Sequence, residues 1–221
     1  MLLKYQEKLE NTRAAVVEIV NCLISANQLI LDALKDCDKE KFENAKLFIK
    51  NISNKTESID REIITTLALH TPEARDLREM VAFLKITNEL IRASGNTRAF
   101  IKGFKEVCSQ VDMSMINQYA LPMQKSTVDS LVCISQMFNV DCGDEAQECY
   151  NRALIAENKT DDLYEMLETD VLKGSSATEV EFVKYHSMLS ALRKSEKVAD
   201  RALSIASLLL YSKNGGQIHQ L

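Results

Sequence analysis

Apolar positions recur along this chain in steps of three and four, the period of helices that bury one face. Near the C-terminal end the stripe reads Tyr185, Leu189, Leu192, Glu196, Ala199, Leu203, Ala206, Leu210. An earlier stripe reads Ala146, Tyr150, Ala153, Glu157, Thr160, Tyr164, Leu167, Val171. A third, Phe42, Ala45, Ile49, Ile52, Thr56, Ile59, Ile63, is an ordinary apolar seam. The pattern breaks at Lys35 to Asp38, His70-Thr71-Pro72, Ser109 to Asp112, Asn139 to Asp144 and Gly174 to Ala177. These breaks predict six helical segments of roughly 25 to 35 residues each, a length of ~45 Å at helical rise.

Asp38 and Thr71 are predicted N-caps, with Pro72 at the first helical position, and Asp144 and Thr178 are expected to cap the fifth and sixth helices. Pro122 should kink the fourth segment or set its start, and Asn214-Gly215-Gly216 should end the last helix. The six helices fall into two sets of three, and the third and sixth share heptad spacing and a basic-polar rhythm. The expected fold is therefore all-α: two tandem antiparallel three-helix bundles, residues 1–109 and 110–221, packed as one elongated unit.

Composition narrows the chemistry. Two Pro and six Gly in 221 residues supply too little punctuation for hairpin-rich β folds, a Rossmann loop or a P-loop. With 27 Lys+Arg against 32 Asp+Glu the net charge is -5, which argues against nucleic acid as a partner. The N-terminal residues lack a signal-peptide pattern, and no stretch of 18 uncharged apolar residues occurs, so no membrane-spanning helix is expected. Six cysteines without a Cys-x-x-Cys are expected to be free thiols in a reducing cytosol, with Cys22 and Cys133 buried. His70, His186 and His219 read as structural or solvated. Nucleophilic catalysis has no support, since no Gly-x-Ser-x-Gly is present and no Cys has a His near it in sequence.

The anomaly lies in two stripes. Glu157 and Glu196 occupy seam positions, and Asp161 and Asp200 follow each at i+4 on the same side. Two helices expected to pack on each other thus each present a Glu-x-x-x-Asp pair to the interface. Buried carboxylates must be ion-paired, protonated or metal-bound. Arg193, Lys197 and Arg201 are the candidate ion-pair partners. The metal reading takes Glu157, Asp161, Glu196 and Asp200 as oxygen ligands for a hard cation.

These residues sit within a wider resemblance. Thr71-Pro72-Glu73-Ala74-Arg75-Asp76-Leu77-Arg78, followed by Leu84 to Arg92, resembles the first-repeat signature of the PhoU family. Leu192-Arg193-Lys194-Ser195-Glu196-Lys197-Val198-Ala199-Asp200-Arg201-Ala202 is similar to that family's metal motif, and Glu157 with Asp161 matches its partner motif. The resemblance spans nearly the whole chain. It departs in the first repeat, where Ile91 and Gly95 stand at the motif's Glu and Asp, and Ile49 and Ser53 on the preceding helix. That first metal site is expected to be lost, with Ile49 and Ile91 packing into the core instead.

The resemblance implies a cytoplasmic homodimer, peripheral to the inner membrane, that is not an enzyme. It implies a negative regulator of phosphate uptake and phosphate-starvation signalling. Such a protein would be a metal-binding adaptor between a phosphate ABC transporter and a phosphate-sensing histidine kinase, holding iron, zinc, manganese or magnesium. Two other readings are an accessory protein of another phosphate permease and a carboxylate-bundle metal-binding or storage protein.

Overall fold

The computed structural model describes residues 2–140, 142–173 and 179–215, which contain helices and no strand. The helices are α1 (Leu2–Leu34), α2 (Lys39–Phe48), α3 (Ile52–Leu69), α4 (Ala74–Val107), a single turn α5 (Met113–Met115), α6 (Leu121–Met137), α7 (Gly143–Lys173) and α8 (Glu179–Asn214). α1 packs on α2, α3 and α4; α6, α7 and α8 pack on one another. The two groups meet along α4 and α8 and again between α1 and α6. This is the expected all-α pair of three-helix bundles, with one continuous apolar core running through both.

The stripe on α1 explains its place. Val16, Ile19, Leu23, Ala26, Ile30 and Ala33 follow helical spacing, and all are fully buried. Within Tyr5–Leu34 this helix is long and apolar enough to cross a membrane by length and composition, an 18-residue window reaching a mean hydropathy of 1.7. Its packing against four other helices accounts for that apolarity. α1 ends where Cys37 adopts a left-handed φ of 53°, letting the Asp38 amide close back on the Ala33 carbonyl at 3.0 Å. Asp38 then caps α2, its carboxylate accepting the Glu40 and Lys41 amides at 2.8 and 3.1 Å.

The predicted second helix is broken. Its seam is buried from Phe42 to Ile63, but a turn at 49–51 separates α2 from α3. The Arg98 guanidinium donates to the carbonyl of Ile49, the C-cap of α2, at 3.2 Å and satisfies it there. The helix after the His70-Thr71-Pro72 break starts at Ala74 with Glu73 as its N-cap, so Thr71 and Pro72 stand before the helix rather than on it. Cys142 precedes α7 and accepts the Ala146 amide, which puts Asp144 in the first turn and not at the cap. The expected cap at Thr178 and the breaks at Gly174 and Gly216 lie outside the described residues. Gly215, with φ of 72° and its amide on the Tyr211 carbonyl at 2.8 Å, closes α8 as expected.

Pro122 falls inside a helical stretch that begins at Met113 and changes from a π turn to α-helix at Leu121. It sits in the first turn of α6, where its missing N–H costs least. The five residues before α6, Ile116–Ala120, form a π turn closed by the Leu121 amide on the Ile116 carbonyl.

Two features hold the halves in register. A buried polar layer links α1, α6 and α8. Gln124 Nε2 donates to the Asn27 carbonyl and side-chain oxygens at 3.1 and 3.0 Å, and Ser195 Oγ donates to Gln124 Oε1 at 2.9 Å. At the α4–α8 crossing, a Cβ built on Gly103 would lie 3.2 Å from the Ala191 Cβ, so glycine there permits the close approach.

The cysteine expectation is corrected. Cys37 and Cys108 form a disulfide, while Cys22, Cys133, Cys142 and Cys149 are free. α1 and α4 run the same way in the antiparallel bundle, so their C-terminal ends lie together. Cys37 follows one and Cys108 the other, with 5.6 Å between their Cα atoms.

Candidate metal centre

The centre forms where α7 and α8 pack antiparallel. Ala153, Thr160 and Leu167 bury one face of α7; Leu192, Ala199, Leu203 and Ala206 bury one face of α8. The Glu-x-x-x-Asp pairs flank these seams, so the fold brings all four predicted residues into one cavity of about 390 Å³. Ligand oxygens of Glu157, Asp161 and Asp200 lie within 4.8 Å of one another. Glu196 lies deepest, with 4% of its surface exposed, and joins the group from the side.

The electrostatics are those of crowded carboxylates. Burial pushes the Glu157 carboxyl up to about 7, with Asp161, Asp200 and Glu196 adding to the rise and Lys197 opposing it. Burial and then Asp200 raise Asp161, against Lys197 and Arg193. Glu196 is raised by burial and by Asp200, against the hydrogen bond and charge of Lys197. Asp161 Oδ1 and Glu196 Oε2 are buried without a hydrogen-bond partner.

Cations surround the cluster, as the ion-pair reading anticipates. Lys197 Nζ lies 2.7 Å from Asp200 Oδ2 and 3.2 Å from Glu196 Oε1. Arg193 Nε stands 3.5 Å from Glu196 Oε2, and its guanidinium covers the Tyr164 ring at 4.9 Å. Arg201 reaches Asp200 at 3.6 Å and Glu89 of α4 at 3.1 Å, tying the site to the other half. Tyr164 and Glu89 carry no ligand motif in sequence. Their roles follow from helix pairing, which a single stripe does not reveal.

The donor set still fits a metal ion. It is all oxygen, three of its four carboxylates converge, and Asp161 Oδ1 is buried without the hydrogen-bond partner that a hard cation would replace. None of the residues lining the cavity is a histidine.

The first half has no counterpart of this cluster at the expected positions. Ile49 is fully buried, but Ile91 is only half-buried and Gly95 is exposed. The expected register also slips. Thr87 Oγ1 donates to Asp60 at 2.7 Å, and Arg98 reaches the Ile49 carbonyl. Antiparallel counting between these bonds places Thr56, not Ser53, level with Ile91, and Ile52, not Ile49, level with Gly95.

Comparison with known proteins gives the same outline. Residues 16–98 match the PhoU domain. The phosphate-specific transport system accessory protein PhoU homolog 1 of Methanothermobacter thermautotrophicus is 24% identical over 207 residues, covering 94% of this chain and 93% of that protein. The crystal structure of PhoU from Pseudomonas aeruginosa superposes with a TM-score of 0.83 at 18% identity, over 96% of this chain and 100% of that one. The phosphate transport system regulatory protein PhoU from Streptococcus pneumoniae gives 0.76 at 18% identity, over 98% and 100%.

Proposed function

Because the chain belongs to the PhoU family and is an accessory and regulatory protein of phosphate transport, we propose that it is a negative regulator of phosphate uptake and of phosphate-starvation signalling. It works by contact, joining a phosphate ABC transporter to a phosphate-sensing histidine kinase at the cytoplasmic face of the inner membrane. It does so as a homodimer and without catalysis. The observation that carries this reading is the agreement of the fold over nearly the full chain with PhoU from Pseudomonas aeruginosa and with the phosphate transport system regulatory protein PhoU from Streptococcus pneumoniae. Long helical faces offer the surface such contacts need.

Glu157, Asp161, Glu196 and Asp200 would hold one or more iron, zinc, manganese or magnesium ions. The convergent oxygens of Glu157, Asp161 and Asp200, and the buried Asp161 Oδ1 that has no hydrogen-bond partner, support this assignment. When bound, the metal supplies positive charge that neutralises the cluster and cross-links α7 to α8. The chain's own contribution is placement: Arg193 stacked on Tyr164 and Arg201 anchored on Glu89 fix the two flanks of the cavity.

The test is a pull-down of the tagged full chain against the transporter ATPase and the sensor kinase, paired with a deletion strain. Binding to either, with altered phosphate-starvation signalling in the deletion, is expected. Absence of both interactions with unchanged signalling overturns the proposal.

A further inference from the structure

The carboxylate cluster is not bare: a cation of the chain's own already stands in it. Lys197 Nζ touches Asp200 Oδ2 at 2.7 Å and Glu196 Oε1 at 3.2 Å. Both carboxylates line the cavity that the metal reading assigns to the ion. Asp200 also supplies one of the three ligand atoms that converge within 4.8 Å. An ammonium and a divalent ion compete for the same oxygens.

The three cations around the site are not equivalent. Arg193 is stacked on Tyr164, and Arg201 is paired to Glu89 on α4, so each has an anchor outside the cluster. The ion pairs of Lys197 are both with cluster carboxylates, and its side chain is 36% exposed. Its four-carbon stem can swing the charge into solvent, where an ammonium is well hydrated.

We propose that Lys197 is a built-in counter-ion that fills the acidic centre of the metal-free chain and is displaced when a metal ion enters. This rests on the metal reading above and adds to it a residue that sets the affinity. Removing Lys197 deepens the negative potential at the cluster. A divalent ion gains twice what a proton gains from the same potential, so metal affinity rises despite tighter proton binding.

The test uses the full chain, stripped with chelator, as wild type, Lys197→Met and Lys197→Gln. Each is titrated calorimetrically at neutral pH with Mn²⁺, Zn²⁺ and, without oxygen, Fe²⁺. Binding by both variants roughly tenfold tighter than wild type is expected, the size of one charge-assisted hydrogen bond given up. A second measurement follows the lysine itself. Acetylation of Lys197 by an amine-reactive ester, read by peptide mass spectrometry, should rise on adding metal to wild type, while Lys105, paired with Glu43 of α2 and outside the cavity lining, stays constant.

Equal or weaker binding by both variants, or unchanged acetylation of Lys197 at saturating metal, overturns the displacement while leaving the metal reading intact. If none of the three ions binds any of the proteins, the metal reading falls and takes this inference with it. Should one variant not fold, the other carries the comparison.

Discussion

Cys37, at the turn that ends α1, is bonded to Cys108, at the end of α4, across a sequence separation of 71 residues. The bond encloses α2, α3 and α4 in one covalent loop. Closing a loop of this length restricts the unfolded chain by about 4 kcal/mol in the chain-entropy account. Reduced protein should therefore melt about 10 °C below oxidised protein. Cys37→Ser should match the reduced wild type and show no further response to reductant. Identical melting curves with and without dithiothreitol would remove the disulfide from the stability of this fold.

Two buried side chains of α6 make opposite predictions. Gln124 is fully buried, and both ends of its amide are used, toward Asn27 and Ser195. Gln124→Leu takes from the Asn27 side-chain oxygen on α1 its bond to Gln124, leaves Ser195 on α8 with Thr127, and should cost about 2 to 4 kcal/mol. Ser130 is equally buried, but its hydroxyl has no partner. Ser130→Ala should be neutral or stabilising, because it removes an unsatisfied group. Chemical denaturation of both variants checks the pair. A Gln124→Leu loss no larger than the Ser130→Ala change would mean the polar layer does not hold the halves together.

The Phe42–Ile63 seam was legible because it buries a continuous stripe: every residue named in it is inside, even across the turn that splits the helix, whereas Tyr150, Glu157, Tyr164, Tyr185, Leu189 and Leu210 of the other two stripes are half-buried. The turn itself was hidden, since the apolar period runs on through Ile49 and Ile52 and no Gly or Pro marks the break. The acidic centre was legible for a related reason. Glu157 and Glu196 interrupt apolar stripes on two neighbouring helices, and the fold places both at one interface. Asp60 and Glu89, which pair with Thr87 and Arg201, gave no such signal because they sit beside the seam. The disulfide had a signal that composition did not weigh: Cys37 and Cys108 both fall at breaks, at ends of helices one and three of a bundle. Alternation of helix direction sets those two ends side by side.

Gly95 and Gly103 lie two turns apart on α4 and should respond differently to a methyl group. Nothing stands within 4 Å of a Cβ built on Gly95, so Gly95→Ala should stabilise by about 1 kcal/mol through helix propensity alone. A Cβ on Gly103 meets the Ala191 Cβ at 3.2 Å, on a helix fixed by packing along its length. Gly103→Ala should forfeit that gain and lower the melting temperature, since α4 and α8 must separate slightly. Thermal melts of the two single variants decide the matter; a stabilised Gly103→Ala would show that the crossing can relax.

The crowding at Glu157 sets a pH dependence for the metal-free protein. Its carboxyl stands at about 7 against an ordinary 4.5, raised by burial first and by Asp161, Asp200 and Glu196 after it. Between those values the folded chain keeps a proton that the unfolded chain has released. Folding stability therefore falls as pH rises from about 5 to about 8, and the contribution levels off once both states are ionised. The raised Asp161 and Glu196 carboxyls slope the same way. Glu157→Gln keeps the shape without the charge, so it should flatten the profile and exceed wild type in stability at the alkaline end. Denaturant unfolding of chelator-treated wild type and Glu157→Gln across this range measures both slopes. Parallel profiles would mean that Glu157 titrates in the folded chain as it does in water.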